Sequence, residues 1–82
     1  MTKEVIHIGS LIEKELKTQE RTVSWFAKKL SCDRSTIYRG IFQKQSIEAS
    51  ELFRISLILK TNFFEYYSSQ YNNSAATFAT LL

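Results

Sequence analysis

Residues 26–42 read FAKKLSCDRSTIYRGIF, and how this stretch is divided decides the fold. It carries four cations, Lys28, Lys29, Arg34 and Arg39, against the single anion Asp33. Apolar residues recur at helical spacing on both sides of Ser31-Cys32-Asp33, and the pattern breaks only there. Upstream, Val23, Phe26, Ala27 and Leu30 form one apolar face of a helix that Thr22 is suited to cap. Downstream, Asp33 is placed to accept hydrogen bonds from the first N–H groups of the next helix and to favour its positive end.

Two short helices joined by a tight turn, with a small residue in the first and a β-branched one inside the second, fit the helix-turn-helix pattern. Each position has a mechanical reason. Ala27 is small because the second helix crosses close above it, and Leu30 and Ile37 fill the wedge between the two. With Ile37 pointing inward, a rotation of about 100° per residue turns Ser35 and Arg39 nearly straight outward. Arg34 and Tyr38 lie on the flanks. Gly40 follows, and a regular helix beyond it would swing Phe42 to the outward side. The sequence therefore predicts that the helix ends or distorts at Gly40, with a positive φ there redirecting Ile41 and Phe42 to the core.

Working outward, Val5, Ile8, Leu11, Ile12 and Leu16 predict a first helix from about Glu4 to Gln19. Gly9 inside it lowers helix propensity by about 1 kcal/mol, and marks a close helix approach. His7 reads as a solvated helix residue, and Ser10-x-x-Glu13, a capping-box match, falls mid-helix. A fourth helix begins near Glu48 or Ser50 and turns Leu52, Ile55, Ile58 and Leu59 inward. Asn62 to Glu65 reads as a cap that opens a fifth helix to about Tyr71. FFEYYSSQY, residues 63–71, puts five aromatics into nine positions. Phe64, Tyr67 and Tyr71 share one side of that helix, and Phe63 and Tyr66 share another. One stripe can close the core; the second suggests a two-fold homodimer through Phe63, Tyr66 and neighbouring aromatics. The uncharged segment from residue 72 to 82 reads as a flexible tail.

Composition narrows the function classes. At 82 residues the chain makes one domain, all-α, without proline and with only two glycines to interrupt helices. No apolar run reaches the roughly 18 residues of a membrane span, and the first ten residues lack a signal-type apolar core, so a cytoplasmic protein is expected. Cys32 and His7 are the only cysteine and histidine. They do not make a zinc site, and a Cys–His nucleophile pair has no orienting third group. No enzyme, metal or cofactor is expected. Charge is concentrated: residues 21–44 hold Arg21, Lys28, Lys29, Arg34, Arg39 and Lys44 against Asp33, a balance of +5. The rest holds five cations and seven anions, a balance of −2. A basic middle on a near-neutral body points to a polyanion partner.

The stretch from Thr22 to Arg39 resembles the phage repressor/Cro-type helix-turn-helix family, and the likeness extends over roughly residues 4–70. Ala27 takes the family's small position, Ser31 the usual glycine, Cys32 the apolar turn position and Ile37 the buried β-branched one. Val23 departs from the glutamine common at the start of the second helix, and Ile41-Phe42-Gln43 from the polar, glycine-ended segment common after the third. The resemblance implies a compact, lambda-repressor-like bundle of about five helices, with residues 1–71 as a domain that binds double-stranded DNA. It implies that Arg34, Ser35, Thr36, Tyr38 and Arg39 face the major groove, where arginine can bind guanine and serine or threonine a base edge or phosphate. Thr22, Lys28 and Lys44 are the accompanying phosphate contacts, with Lys29 an alternative to Lys28. The competing reading is a protein-interaction module, antitoxin-like or a repressor partner, using the same fold. RNA binding is a weaker third reading, since no stacking platform of sheet type is visible.

Overall fold

A computed structural model describes residues 6–81, with side chains described up to residue 75. Five helices follow one another: α1 Ile8–Thr18, α2 Val23–Lys29, α3 Arg34–Ile37 continuing into a π turn at Tyr38–Phe42, α4 Ala49–Leu59 and α5 Phe64–Leu81. The described residues contain no strand. The expected all-α bundle of about five helices is what forms.

Local chemistry sets most of the boundaries. The Thr22 hydroxyl accepts from the Trp25 N–H at 3.0 Å, and Asn62 Oδ1 accepts from the Phe64 N–H at 3.1 Å, so α2 and α5 start at their expected caps. Helix α1 starts later than expected. His7 is extended, with φ −106° and ψ 90°, and its Nδ1 accepts from the Ser10 N–H at 3.2 Å. His7 is thus an N-cap and not a solvated helix residue, and Ser10 belongs to the first turn. The cause lies in the tertiary structure. The N–H groups of Ile8 and Gly9, which a helix from Glu4 would bond to carbonyls four residues back, donate instead to Gln45 O at 3.1 Å and Lys44 O at 2.9 Å. The expected start at Glu4 lies outside the described residues.

Three helix ends share one device. After α1, α2 and α4 the chain enters the left-handed region at Glu20 (φ 57°), Ser31 (φ 57°) and Lys60 (φ 53°). At each, a pair of backbone bonds closes the helix: Arg21 N–H to Leu16 O with Glu20 N–H to Lys17 O, Cys32 to Ala27 with Ser31 to Lys28, and Thr61 to Ser56 with Lys60 to Leu57. This is the Schellman arrangement, which usually uses glycine, because a Cβ in this region costs about 1–2 kcal/mol.

The core gathers Ile8, Ile12 and Leu16 of α1, Phe26, Ala27 and Leu30 around α2, Ile37, Ile41 and Phe42, then Leu52, Ile55 and Leu59 of α4 and finally Phe63. The close approach marked by Gly9 is present: a Cβ there would collide with the backbone of Ile41 and Phe42. At Gly40 the outcome is mixed. The helix does distort, and Ile41 and Phe42 are buried as expected, but Gly40 does not have a positive φ. The π turn does the work instead. In a regular α-helix Phe42 would lie about 140° from Ile37, and widening the turn by one residue moves it back by about 100°.

Helix α5 is longer than predicted. It continues past Tyr71 to Leu81, through residues expected as a tail, because the segment has no glycine or proline and includes Ala75, Ala76 and Ala79. From Ser68 to Ser74 every side chain is exposed.

Candidate nucleic-acid interface

The α2–α3 unit is held from inside by Ala27, Leu30 and Ile37, all buried. Its turn is closed by Ser31 in the left-handed conformation, at the position that the resemblance assigns to glycine. Asp33 then caps α3: one carboxylate oxygen accepts from both the N–H and the hydroxyl of Thr36, each at 2.9 Å. These bonds hold the Asp33 carboxyl below its usual range, the backbone N–H being the larger cause and the hydroxyl the second. Asp33 therefore stays ionised next to the cations and fixes the start of α3.

With its inner side pinned, the rest of α3 faces solvent. Arg34, Ser35, Thr36, Tyr38 and Arg39 are all exposed, whereas Ile37 is fully buried between them. Thr36 spends its hydroxyl proton on Asp33, which leaves the Ser35 and Tyr38 hydroxyls as the O–H donors on this face. Tyr38 is half exposed, and its ring stands edge-on to Phe42 with centroids 5.7 Å apart, so the buried ring supports the exposed one. Lys28 and Lys44 are exposed on either side in sequence. The Lys44 carbonyl accepts from Gly9, so the start of α1 fixes the backbone from which this side chain projects.

Among the described residues the ion pairs are Lys17–Glu13 and Arg54–Glu51, both within single helices. None of the six cations in residues 21–44 has a carboxylate within 4.0 Å there. Their positive potential is therefore directed at solvent.

Lys28 and Lys29 have different surroundings. Lys29 Nζ lies 5.8 Å from the centre of the Trp25 ring, and the Arg21 guanidinium lies 4.5 Å from it. The Trp25 ring, partly buried against the core, thus lies close to two cations, an arginine and a lysine. The i, i+4, i+8 spacing of Arg21, Trp25 and Lys29 is the sequence signal for this contact.

Other expectations also find their place. Phe63 is fully buried and packs in the core, so it cannot line a dimer surface; among the described side chains of α5, Tyr66 and Tyr71 are the exposed large aromatics. Phe53 and Leu57, one turn apart on α4, are more than half exposed, a feature the helical pattern of inward residues did not bring out. Cys32 is half buried, and burial raises its thiol above the ordinary range, with the Asp33 and Glu51 carboxylates adding to the effect. The thiol is disfavoured as a thiolate, and His7 is engaged at the start of α1. No three His, Cys, Asp or Glu side chains are grouped to hold a metal among the described residues, and no described helix is long and apolar enough to cross a membrane.

Comparison with protein families, curated proteins and solved structures yields no match to this chain.

Proposed function

We propose that this chain is a sequence-specific double-stranded DNA-binding protein, a cytoplasmic transcriptional regulator of the lambda-repressor-like type that lays α3 in the major groove. One observation carries the reading. The α2–turn–α3 unit is braced by buried Ala27 and Ile37 and closed by left-handed Ser31, while Arg34, Ser35, Tyr38 and Arg39 stand outward with no carboxylate partner. A solvated helix face needs neither the turn geometry nor a cluster of unpaired cations. Arg39 and Ser35 are the base-reading pair, Lys28, Arg34 and Lys44 bind phosphates, and Thr22 at the start of α2 is a further phosphate contact. A second copy, meeting the first through Tyr66 and Tyr71, would set half-sites about 34 Å apart.

The test is selection from random duplex DNA at two salt concentrations. Three cationic phosphate contacts per subunit imply that the affinity of one subunit falls about 40-fold between 50 and 200 mM salt, and that of a dimer by about the square of that factor. Arg39→Ala should weaken the selected site by about 1–3 kcal/mol more than it weakens unrelated DNA. An equal loss on every sequence would reassign Arg39 to phosphate, and enrichment of no sequence at either salt would end the proposal.

Exposed Phe53 and Leu57 favour a second reading, a module that docks a protein through α4 and does not read DNA. Partner capture that is insensitive to salt, with no DNA retained at low salt, separates it from the first.

A further inference from the structure

A cleft of about 640 Å³ opens between the C-terminal ends of α1 and α4 and the start of α2. We propose that it is a binding site for a small organic anion with a flat apolar body, an aromatic carboxylate being the simplest case. Its volume lies within the range of small-molecule sites. Trp25 and half-buried Ile58 supply apolar lining, and Arg21, Lys29 and Lys60 bring three positive charges to the rim. Glu15 is the one carboxylate of the lining. It is held by the Gln19 amide, which donates to it at 2.8 Å, and it pairs with none of the three cations. The cleft therefore has a surplus of two positive charges beside an apolar wall.

The walls are built before any ligand arrives. The Gln19 amide also donates to the Leu59 carbonyl at 2.7 Å, and the Thr61 hydroxyl donates to the same oxygen at 3.0 Å, tying the end of α1 to the end of α4. Arg21 lies over the Trp25 ring through its π face, which orients the guanidinium without using its N–H donors. Those donors remain for a carboxylate, which an arginine fork binds with two parallel hydrogen bonds. A bare inorganic anion would leave the Trp25 and Ile58 wall wet, and a neutral aromatic would leave the cations unanswered. The two requirements together select the ligand class.

None of Lys28, Arg34, Ser35, Arg39 and Lys44 of the DNA surface proposed above lines the cleft, although Thr22 of that surface adjoins Arg21 in sequence. Its test needs no DNA and can fail or succeed independently. Trp25 is the sole tryptophan, so one indole N–H resonance of the full chain reports on the cleft directly. Titration with benzoate should shift that resonance saturably, half-way at or below about 10 mM. Benzamide, acetate and inorganic phosphate should each bind at least tenfold more weakly. Arg21→Gln and Lys29→Gln, both exposed and outside the core, should each weaken benzoate at least tenfold with the helical fold retained by circular dichroism, whereas Lys14→Gln on the outer side of α1 should leave benzoate binding unchanged. No saturable shift with benzoate, equal binding of acetate, phosphate or benzamide, or an equal loss in Lys14→Gln would each overturn the proposal.

Discussion

Replacing Gly9 by alanine adds one methyl at the tightest contact of the fold. Its Cβ would stand 2.6 Å from the Phe42 carbonyl carbon and closer still to the carbonyl oxygens of Ile41 and Phe42. All three are backbone atoms, so no rotamer change can clear them. Ordinary contact begins at 3.4 Å, so α1 and the π turn must part by about 0.8 Å or more (3.4 minus 2.6). That movement stretches two hydrogen bonds, Gly9 N–H to Lys44 O at 2.9 Å and Ile8 N–H to Gln45 O at 3.1 Å. Each contributes about 1 kcal/mol net. Strain and loosened packing around buried Ile8, Ile41 and Phe42 add about 1–3 kcal/mol. Against this, alanine is the better helix former by about 1 kcal/mol. The net loss is about 2–4 kcal/mol, a large part of the stability of a domain this size.

Gly40→Ala supplies the internal control. Gly40 has no positive φ, and the nearest atom to its added Cβ is Thr36 Cγ2 at 3.6 Å, an ordinary contact. The same chemical change there should raise stability by about 0.5–1 kcal/mol. Urea unfolding and thermal melting followed by circular dichroism measure both, and the melting temperature should fall by at least about 8 °C in one variant and rise by a few degrees in the other. Gly9→Ala as stable as the parent chain, or Gly40→Ala the worse of the two, would refute the account of how α1 meets the π turn.

Further outcomes follow from the same geometry. Ser31→Gly should stabilise the fold by about 1 kcal/mol, since Ser31 holds a left-handed conformation that glycine adopts freely; a destabilised variant in urea would contradict this. Thr22→Ala removes the acceptor for Trp25 N–H and should cost about 1 kcal/mol in the same assay, while Thr22→Ser should restore most of it. Asp33 has its folded pKa depressed, so its contribution is fully present above the unfolded carboxylate value of about 3.9 and is lost as pH falls through the lower folded value. Melting temperature between pH 5 and 2 should fall less steeply in Asp33→Asn than in the parent, and parallel curves would rule out the capping carboxylate as a source of acid sensitivity. Cys32 should react slowly with iodoacetamide at neutral pH and faster in urea, as a thiol raised by burial requires.

Where the sequence could be read, the reason was local. Thr22, Asp33 and Asn62 are good caps wherever a helix follows, and Ala27, Leu30 and Ile37 are spaced for one buried wedge. Where it could not be read, the deciding partner lay far along the chain. His7 became a cap because carbonyls of Lys44 and Gln45 captured the next two N–H groups, which no pattern within residues 4–19 encodes. Glu20 and Lys60 occupy left-handed positions that residue type alone argues against. Helix α5 continues through a segment whose low charge suggests disorder, although nothing in it breaks a helix. Phe63 was assigned to an outward stripe by helical phase, yet it precedes the helix and lies in the core. The Arg21–Trp25–Lys29 contact was open to discovery by spacing, and was obscured because Arg21 lies before the start of α2.

The π turn links the two scales, because it satisfies a demand that a regular helix cannot. Ile37, Ile41 and Phe42 must all be buried, yet Ser35 and Arg39 must both face outward on the same short rod. At 100° per residue Phe42 would share the side of Arg39. One residue of extra turn resolves the conflict, placing Phe42 under Tyr38 and turning the carbonyls of Ile41 and Phe42 toward Gly9. The first turn of α1 then locks that arrangement through Lys44 and Gln45. The orientation of the exposed cationic face is therefore set from behind, by a glycine more than twenty residues away in sequence. A change at Gly9 should disturb that face even though no atom of residue 9 reaches it.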